Sequence, residues 1–391
     1  YEIYQCDWSS DVCSSDLDEA GRTIASENPL GERSSTIYDQ AGRSIASIDP
    51  RGFRVTSTYD DANRVVASQN ARGYTTTTTY DVAGRSIAST NPLGYVATTT
   101  YDAAGRVIAN TDANSYTSTT VYDAAGRSIA KLSSRGFRVT TVYDDANRNI
   151  ATINGLGFAV TTTYDQAGRK IEEIDALGRI TTSGYDAAGR KTLKWTARDV
   201  RTTMAYDAAG RRSDETFPSG LRHTFTYDAA GRRTMVSDSL GITTTTYTPR
   251  SEIESVTNVY SRTLTYTYDA AGRRGTMEGN SRLTTYTYDA AGNNTQLIDA
   301  RGKITTYTFD GNNRQVLKQM ANGISVSHTY DEAGWLTLIE NMRSDGTAQS
   351  IYTYTYDRVG NRQTELALNG ALTTWTYDRA YQLTNEERTE P

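Results

Sequence analysis

The sequence predicts an all-β protein in which tandem β-hairpins, one per 21 residues, lie side by side in a long coiled antiparallel sheet. Three observations predict it. Tyr-Asp recurs at Tyr38, Tyr59, Tyr80, Tyr101, Tyr122, Tyr143, Tyr164, Tyr185, Tyr206 and Tyr227, an unbroken spacing of 21. A fixed period of this size marks an array of one supersecondary unit. The stretch before each tyrosine alternates with period two, and every unit holds two Gly-bearing turn signals.

Residues Gly94 to Thr111 serve as the specimen unit. Tyr95, Ala97, Thr99 and Tyr101 fall on one side of an extended segment, Val96, Thr98 and Thr100 on the other. The first set returns as Phe53/Val55/Ser57/Tyr59, Phe137/Val139/Thr141/Tyr143 and Phe158/Val160/Thr162/Tyr164. Asp102-Ala103-Ala104-Gly105 then reads as a tight turn. The aspartate accepts from backbone two residues on, and glycine supplies a positive φ, the recipe of a type I turn closed by a left-handed residue. Arg106-Val107-Ile108-Ala109 is the return strand, with an apolar residue seven after the tyrosine at Ile45, Val66, Ile87, Ile108, Ile129, Ile150 and Ile171.

A second turn closes the unit. Asn91-Pro92-Leu93-Gly94 varies as Asp49-Pro50-Arg51-Gly52, Asn70-Ala71-Arg72-Gly73 and Asp175-Ala176-Leu177-Gly178. Pro29, Pro50, Pro92 and Pro218 share one slot in it, the second position of a type I turn. A coiled coil would also repeat over three heptads, but two glycines per unit, the fixed prolines and the threonine runs exclude a long helix.

Later copies at Tyr247, Tyr268, Tyr288, Phe309, Tyr330, Tyr356 and Tyr377 follow at intervals of 20, 21, 20, 21, 21, 26 and 21. The longest interval contains Ser344-Asp345-Gly346 and reads as a lengthened hairpin. Residues 18–235 are expected to form the regular array, and 236–391 a degenerate array continuing the same sheet. About 34 strands at ~4.8 Å would make a ribbon on the order of 160 Å wide. Open sheets rarely pass about 10 strands without curling, so the ribbon is expected to coil around a space. Each unit has only a tyrosine, another aromatic and an isoleucine to bury, which suits a one-layer wall better than a thick core.

Residues 1–17 show no trace of the period and are set apart as a non-native segment resembling translated adaptor sequence. Position 17 is Leu17 where the spacing calls for tyrosine, and both cysteines, Cys6 and Cys13, fall in this stretch. The chain is accordingly expected to be a piece of a longer repeat region, ending before any core or effector domain. With 41 basic and 46 acidic residues interspersed, no basic patch is built for nucleic acid or an anionic membrane. No apolar run approaches the ~18 residues that cross a bilayer.

No catalytic, cofactor-binding or metal-ligating residue is expected. His223 and His328 occupy strand slots held elsewhere by Thr76, Ala97, Thr78 and Thr99, which are read as surface positions. Asp60-Asp61-Ala62-Asn63, Asp144-Asp145-Ala146-Asn147 and Asp310-Gly311-Asn312-Asn313 cluster oxygens, yet lack calcium-loop spacing and read as turn chemistry. The Asp102–Arg106 pair and its copies read as an exposed row that spaces and solubilises the repeats.

Tyr-Asp-x-x-Gly-Arg at this spacing, after threonine-rich strands, resembles the YD repeat of the Rhs family over about residues 18–391. The resemblance implies a hollow β-shell wound from hairpins, secreted or at the cell surface of bacteria, holding and delivering a C-terminal toxin effector. Family members complete the shell with a core motif containing paired Asp-Pro residues. No such pair follows Tyr377, so neither self-cleavage nor toxicity is carried over. The alternative is a cell-surface adhesion or carbohydrate-binding module, with glycans as partner.

Overall fold

A computed structural model describes residues 14–391, and its strands belong to one 36-stranded antiparallel sheet without helices. Residues 1–13, and with them Cys6 and Cys13, lie outside the described residues. Ser14–Leu17 is a strand that places Leu17 opposite Thr23, as Tyr38 stands opposite Ser44. Leu17 therefore fills a tyrosine slot.

The specimen unit folds as its pattern dictates. Val96–Tyr101 and Val107–Thr111 pair across the Asp102 turn, where the Asp102 N–H donates to the Arg106 carbonyl and Gly105 to the Asp102 carbonyl. Gly105 has φ +80°; Asn63, Asn147 and Asn313 take its place at φ 61–63°, a region asparagine tolerates. The second turn repeats these bonds, Asn91 with Tyr95 and Gly94 with Asn91. The lengthened hairpin is also present, Leu336–Met342 against Ala348–Tyr356. The interval of 20 between Tyr268 and Tyr288 has its own cause. Asn280 and Ser281 both take positive φ between Gly279 and Arg282, a two-residue connection in place of the usual five, which with longer flanking strands shortens the unit by one.

One feature departs from simple alternation. Tyr101 pairs with Val107 but Thr100 with Ala109, so Ile108 is the extra residue of a β-bulge. The same shift isolates Ile45, Val66, Ile87, Ile129, Ile150 and Ile171. The periodic isoleucine is thus a bulge residue, and the neighbouring alanine is the buried one, as at Ala25, Ala46 and Ala130. A bulge bends its strand and increases the local twist, so the bend is repeated once per unit.

Two compact units are formed. The first comprises residues up to Ser118, Tyr268–Thr276 and Arg282–Pro391; the second comprises Thr119–Thr267 and Met277–Ser281. Strands contact strands adjacent in the chain, and among the described residues few side chains are buried. No large side chain is fully buried there either. Each unit is a sheet one layer thick.

Candidate functional site

The chemistry of the chain is concentrated along its two rows of turns. In the Tyr-Asp turn, one carboxylate oxygen of Asp102 accepts from the backbone N–H groups of Ala104 and Arg106, both at 2.9 Å. The other accepts from Arg106 Nε at 2.7 Å. The Arg106 backbone N–H, then its guanidinium, hold this carboxyl below its ordinary value, and the same cause acts at Asp81, Asp123, Asp144 and Asp228. At Asp60 and Asp144, the oxygens first considered for calcium are occupied in this way by Arg64 and Arg148.

Arginine also reaches the following repeat. Arg85 Nη1 donates to the Asp102 carbonyl at 3.2 Å, and its guanidinium lies 4.8 Å from the centre of the Tyr101 ring. Tyr101 then donates its hydroxyl to the Ser86 carbonyl at 2.8 Å. Arginine, aspartate and tyrosine of adjacent units thereby form a clamp, repeated at Arg64–Tyr80, Arg148–Tyr164 and Arg211–Tyr227. An exposed cation–π contact is worth about 0.5–1 kcal/mol. Beyond spacing and solubilising the repeats, the Asp–Arg row also joins one repeat to the next. The signal was available in the sequence, since arginine stands five after one tyrosine and sixteen before the next. Where Trp335 replaces the arginine, its ring meets Tyr356 at 5.5 Å instead.

The second row of turns has its own carboxylate or amide bonds, Asn91 Oδ1 accepting from Leu93 and Tyr95. Within the first unit this edge is covered. Arg51 donates to the Asp310 carbonyl at 3.3 Å and to Asn313 Oδ1, and lies 3.4 Å from the Asp289 carboxylate. The Phe53 ring sits against Gly311, where an added Cβ would come within 2.8 Å of it. Arg273 meets Glu32, Trp335 stacks on Tyr95, and Asn114 donates to Asp357. At the end of the row, Tyr381 donates to Asp112 and its ring contacts Tyr116 at 5.7 Å. Second-type turns of early repeats thus seat the Tyr-Asp turns of repeats about 240 residues later, where Arg273 to Glu32 spans 241.

The two histidines lie in separate strands, Arg222–Tyr227 and Ser325–Tyr330. His223 packs edge-on against Phe217, with ring centres 4.9 Å apart. His328 is half-buried rather than a plain surface residue; its Nδ1 has no hydrogen-bond partner among the described residues, and burial lowers its pKa. Among the described residues no group of three or more His, Cys, Asp or Glu side chains could hold a metal ion, and no helix is long and apolar enough to cross a membrane.

Strand, bulge, turn and clamp, repeated along one sheet, define a tandem β-hairpin repeat protein. The RHS repeat family model matches residues 59–96, 101–138 and 206–244, so these stretches are RHS repeats. No curated protein matches it. Among solved structures it is similar to a Photorhabdus luminescens Tc holotoxin pore, at 15% identity and a TM-score of 0.55, covering 96% of this chain and 23% of that one. A TcdB2–TccC3 crystal structure aligns at 15% identity and a TM-score of 0.49, covering 95% of this chain and 31% of that one. The chain therefore spans less than a third of the length of these proteins. The first similarity shows a shared fold.

Proposed function

We propose that this chain is a wall segment of an Rhs-type encapsulating shell, a non-enzymatic part of a secreted or cell-surface toxin apparatus that holds and delivers an effector polypeptide. The observation that carries the reading is the one-layer sheet. Neither face is buried under a second layer, so the array has two broad surfaces, as a container wall requires. The repeated bulge supplies the bend, and the Arg–Tyr–Asp clamp ties each hairpin to the next. The fold shared with part of a toxin-complex structure supports the same reading.

Electron cryo-microscopy of the purified chain tests it. A curved wall one sheet thick, bordering an open space, is the expected result. A solid rod with a filled centre would overturn it. Binding to a glycan array, with no such curvature, would favour the adhesion module instead.

A further inference from the structure

We infer that Asn154 is a self-modification site: its side-chain amide reacts with the backbone nitrogen of Gly155, and water converts the product to aspartate or isoaspartate. The chain holds three Asn-Gly dipeptides, Asn154-Gly155, Asn322-Gly323 and Asn369-Gly370. Asn-Gly favours this chemistry because glycine has no side chain to crowd its nitrogen. All six residues are exposed, so solvent access does not separate the sites. Their places in the turn do. Asn322 and Asn369 stand third in a second-type turn, and the glycine that follows is the donor that closes it. Gly323 donates to the Met320 carbonyl and Gly370 to the Ala367 carbonyl, both at 2.9 Å. Attack by either nitrogen would open the turn. Asn154 stands first instead. Gly157 closes that turn by donating to the Asn154 carbonyl, and the Gly155 N–H is left without a partner among the described residues.

The attacked carbonyl differs as well. Asn154 Oδ1 accepts from the backbone N–H groups of Leu156 and Phe158, both at 3.0 Å. This oxygen gains negative charge as the new bond forms, and two fixed donors at that distance stabilise it. Asn322 Oδ1 has one such donor, Ile324 at 3.2 Å, and Asn369 Oδ1 has one, Ala371 at 3.1 Å. Packing holds the glycine in place, since a Cβ at position 155 would come within 2.9 Å of the Phe137 ring. In the same slot Asn28 and Asn91 are followed by Pro29 and Pro92, which have no N–H to give.

Water is the one co-reactant. Hydroxide takes the Gly155 amide proton, and the nitrogen bonds to Asn154 Cγ. The bond from Cγ to Nδ2 then breaks, and ammonia leaves with a proton from water. A second water molecule opens the cyclic imide at either carbonyl. Opening on one side leaves aspartate, which this turn accommodates: in the next repeat the Asp175 carboxylate accepts from the Leu177 and Arg179 N–H groups. Opening on the other leaves isoaspartate, which adds a carbon to the backbone and breaks the register of the turn.

Peptide mapping of the full chain held at mildly alkaline pH tests the inference. Mass spectrometry follows the amide-to-acid change at each site, and enzymatic methylation scores isoaspartate. In the folded chain Asn154 is expected to convert at least about tenfold faster than Asn322 or Asn369, the factor that one hydrogen bond still to be broken can supply. In chain unfolded by urea the three rates are expected to converge, because the dipeptide is the same. Equal rates in the folded chain overturn the inference. A lead of Asn154 that persists unchanged in urea also overturns it, because local sequence and not the turn would then be the cause.

Discussion

The two copies of Arg-Gly-Phe-Arg-Val-Thr have one local structure and two environments. In both, arginine lies 4.8 Å over the phenylalanine ring, and strands begin at Arg54 and Arg138. The first copy is seated on turns from distant repeats, Arg51 meeting Asp289 and Asp310. Local sequence thus sets the hairpin, while a partner some 240 residues away sets the cover. The Tyr-Asp clamp belongs to the local class and should behave alike in both units; the covered edge should not.

Acid should have the largest effect, because it reaches the clamps of both regions at once. The turn carboxyls of Asp81, Asp102, Asp144 and Asp228 lie below the ordinary value of 3.8 when folded. A lowered native pKa means that the stability is fully present above the unfolded value and is lost as pH falls through the native one. The melting temperature should be level at neutral pH and should fall steeply below pH 3.8. A melting temperature unchanged at strongly acid pH would break the account of the clamp.

Gly311→Val comes next. The new side chain would collide with Phe53, and overpacking of this kind destabilises by about 1–3 kcal/mol. Denaturant unfolding should show the loss, and Phe53→Ala in the same protein should relieve part of it, as contacting residues couple in a double-mutant cycle. Arg51→Ala should cost about 1.5–3 kcal/mol, the range for hydrogen bonds to charged groups, since this side chain serves Asp289, Asp310 and Asn313. Tyr80→Phe and Tyr206→Phe each remove one hydroxyl bond, to the Val65 and Lys191 carbonyls, and should lose the same ~1 kcal/mol. Leu177→Ala, at an exposed position, should stay within about 0.5 kcal/mol of wild type.

How far the sequence foretells this structure follows from range. The strand before Tyr101, the turn at Asp102 and the positive φ at Gly105 depend on residues within one period, and were legible. The bulge was not, because Arg106-Val107-Ile108-Ala109 carries no break that says which residue is unpaired. It took pairing to show that Ile108 is extra and that alanines such as Ala46 are buried. Half of the arginine chemistry was read from the sequence, the bond to its own aspartate; the onward contact, to the next aspartate's carbonyl and tyrosine ring, was present in the spacing but took the strand pairing to recognise. The covered edge was hidden. A hexapeptide cannot reveal which distant turns it will receive, and the one local trace was Gly311, a glycine where other Tyr-Asp turns carry Ala103, Val82, Asp61 or Gln40.

Those identical hexapeptides make the most direct test possible, because their intrinsic amide exchange rates are matched. Hydrogen–deuterium exchange on the dilute chain, read on peptides distinguished by Pro50 and Ser134, compares them within one molecule. The account predicts slower exchange across residues 49–56 than across 133–140. Equal protection of the two would contradict it.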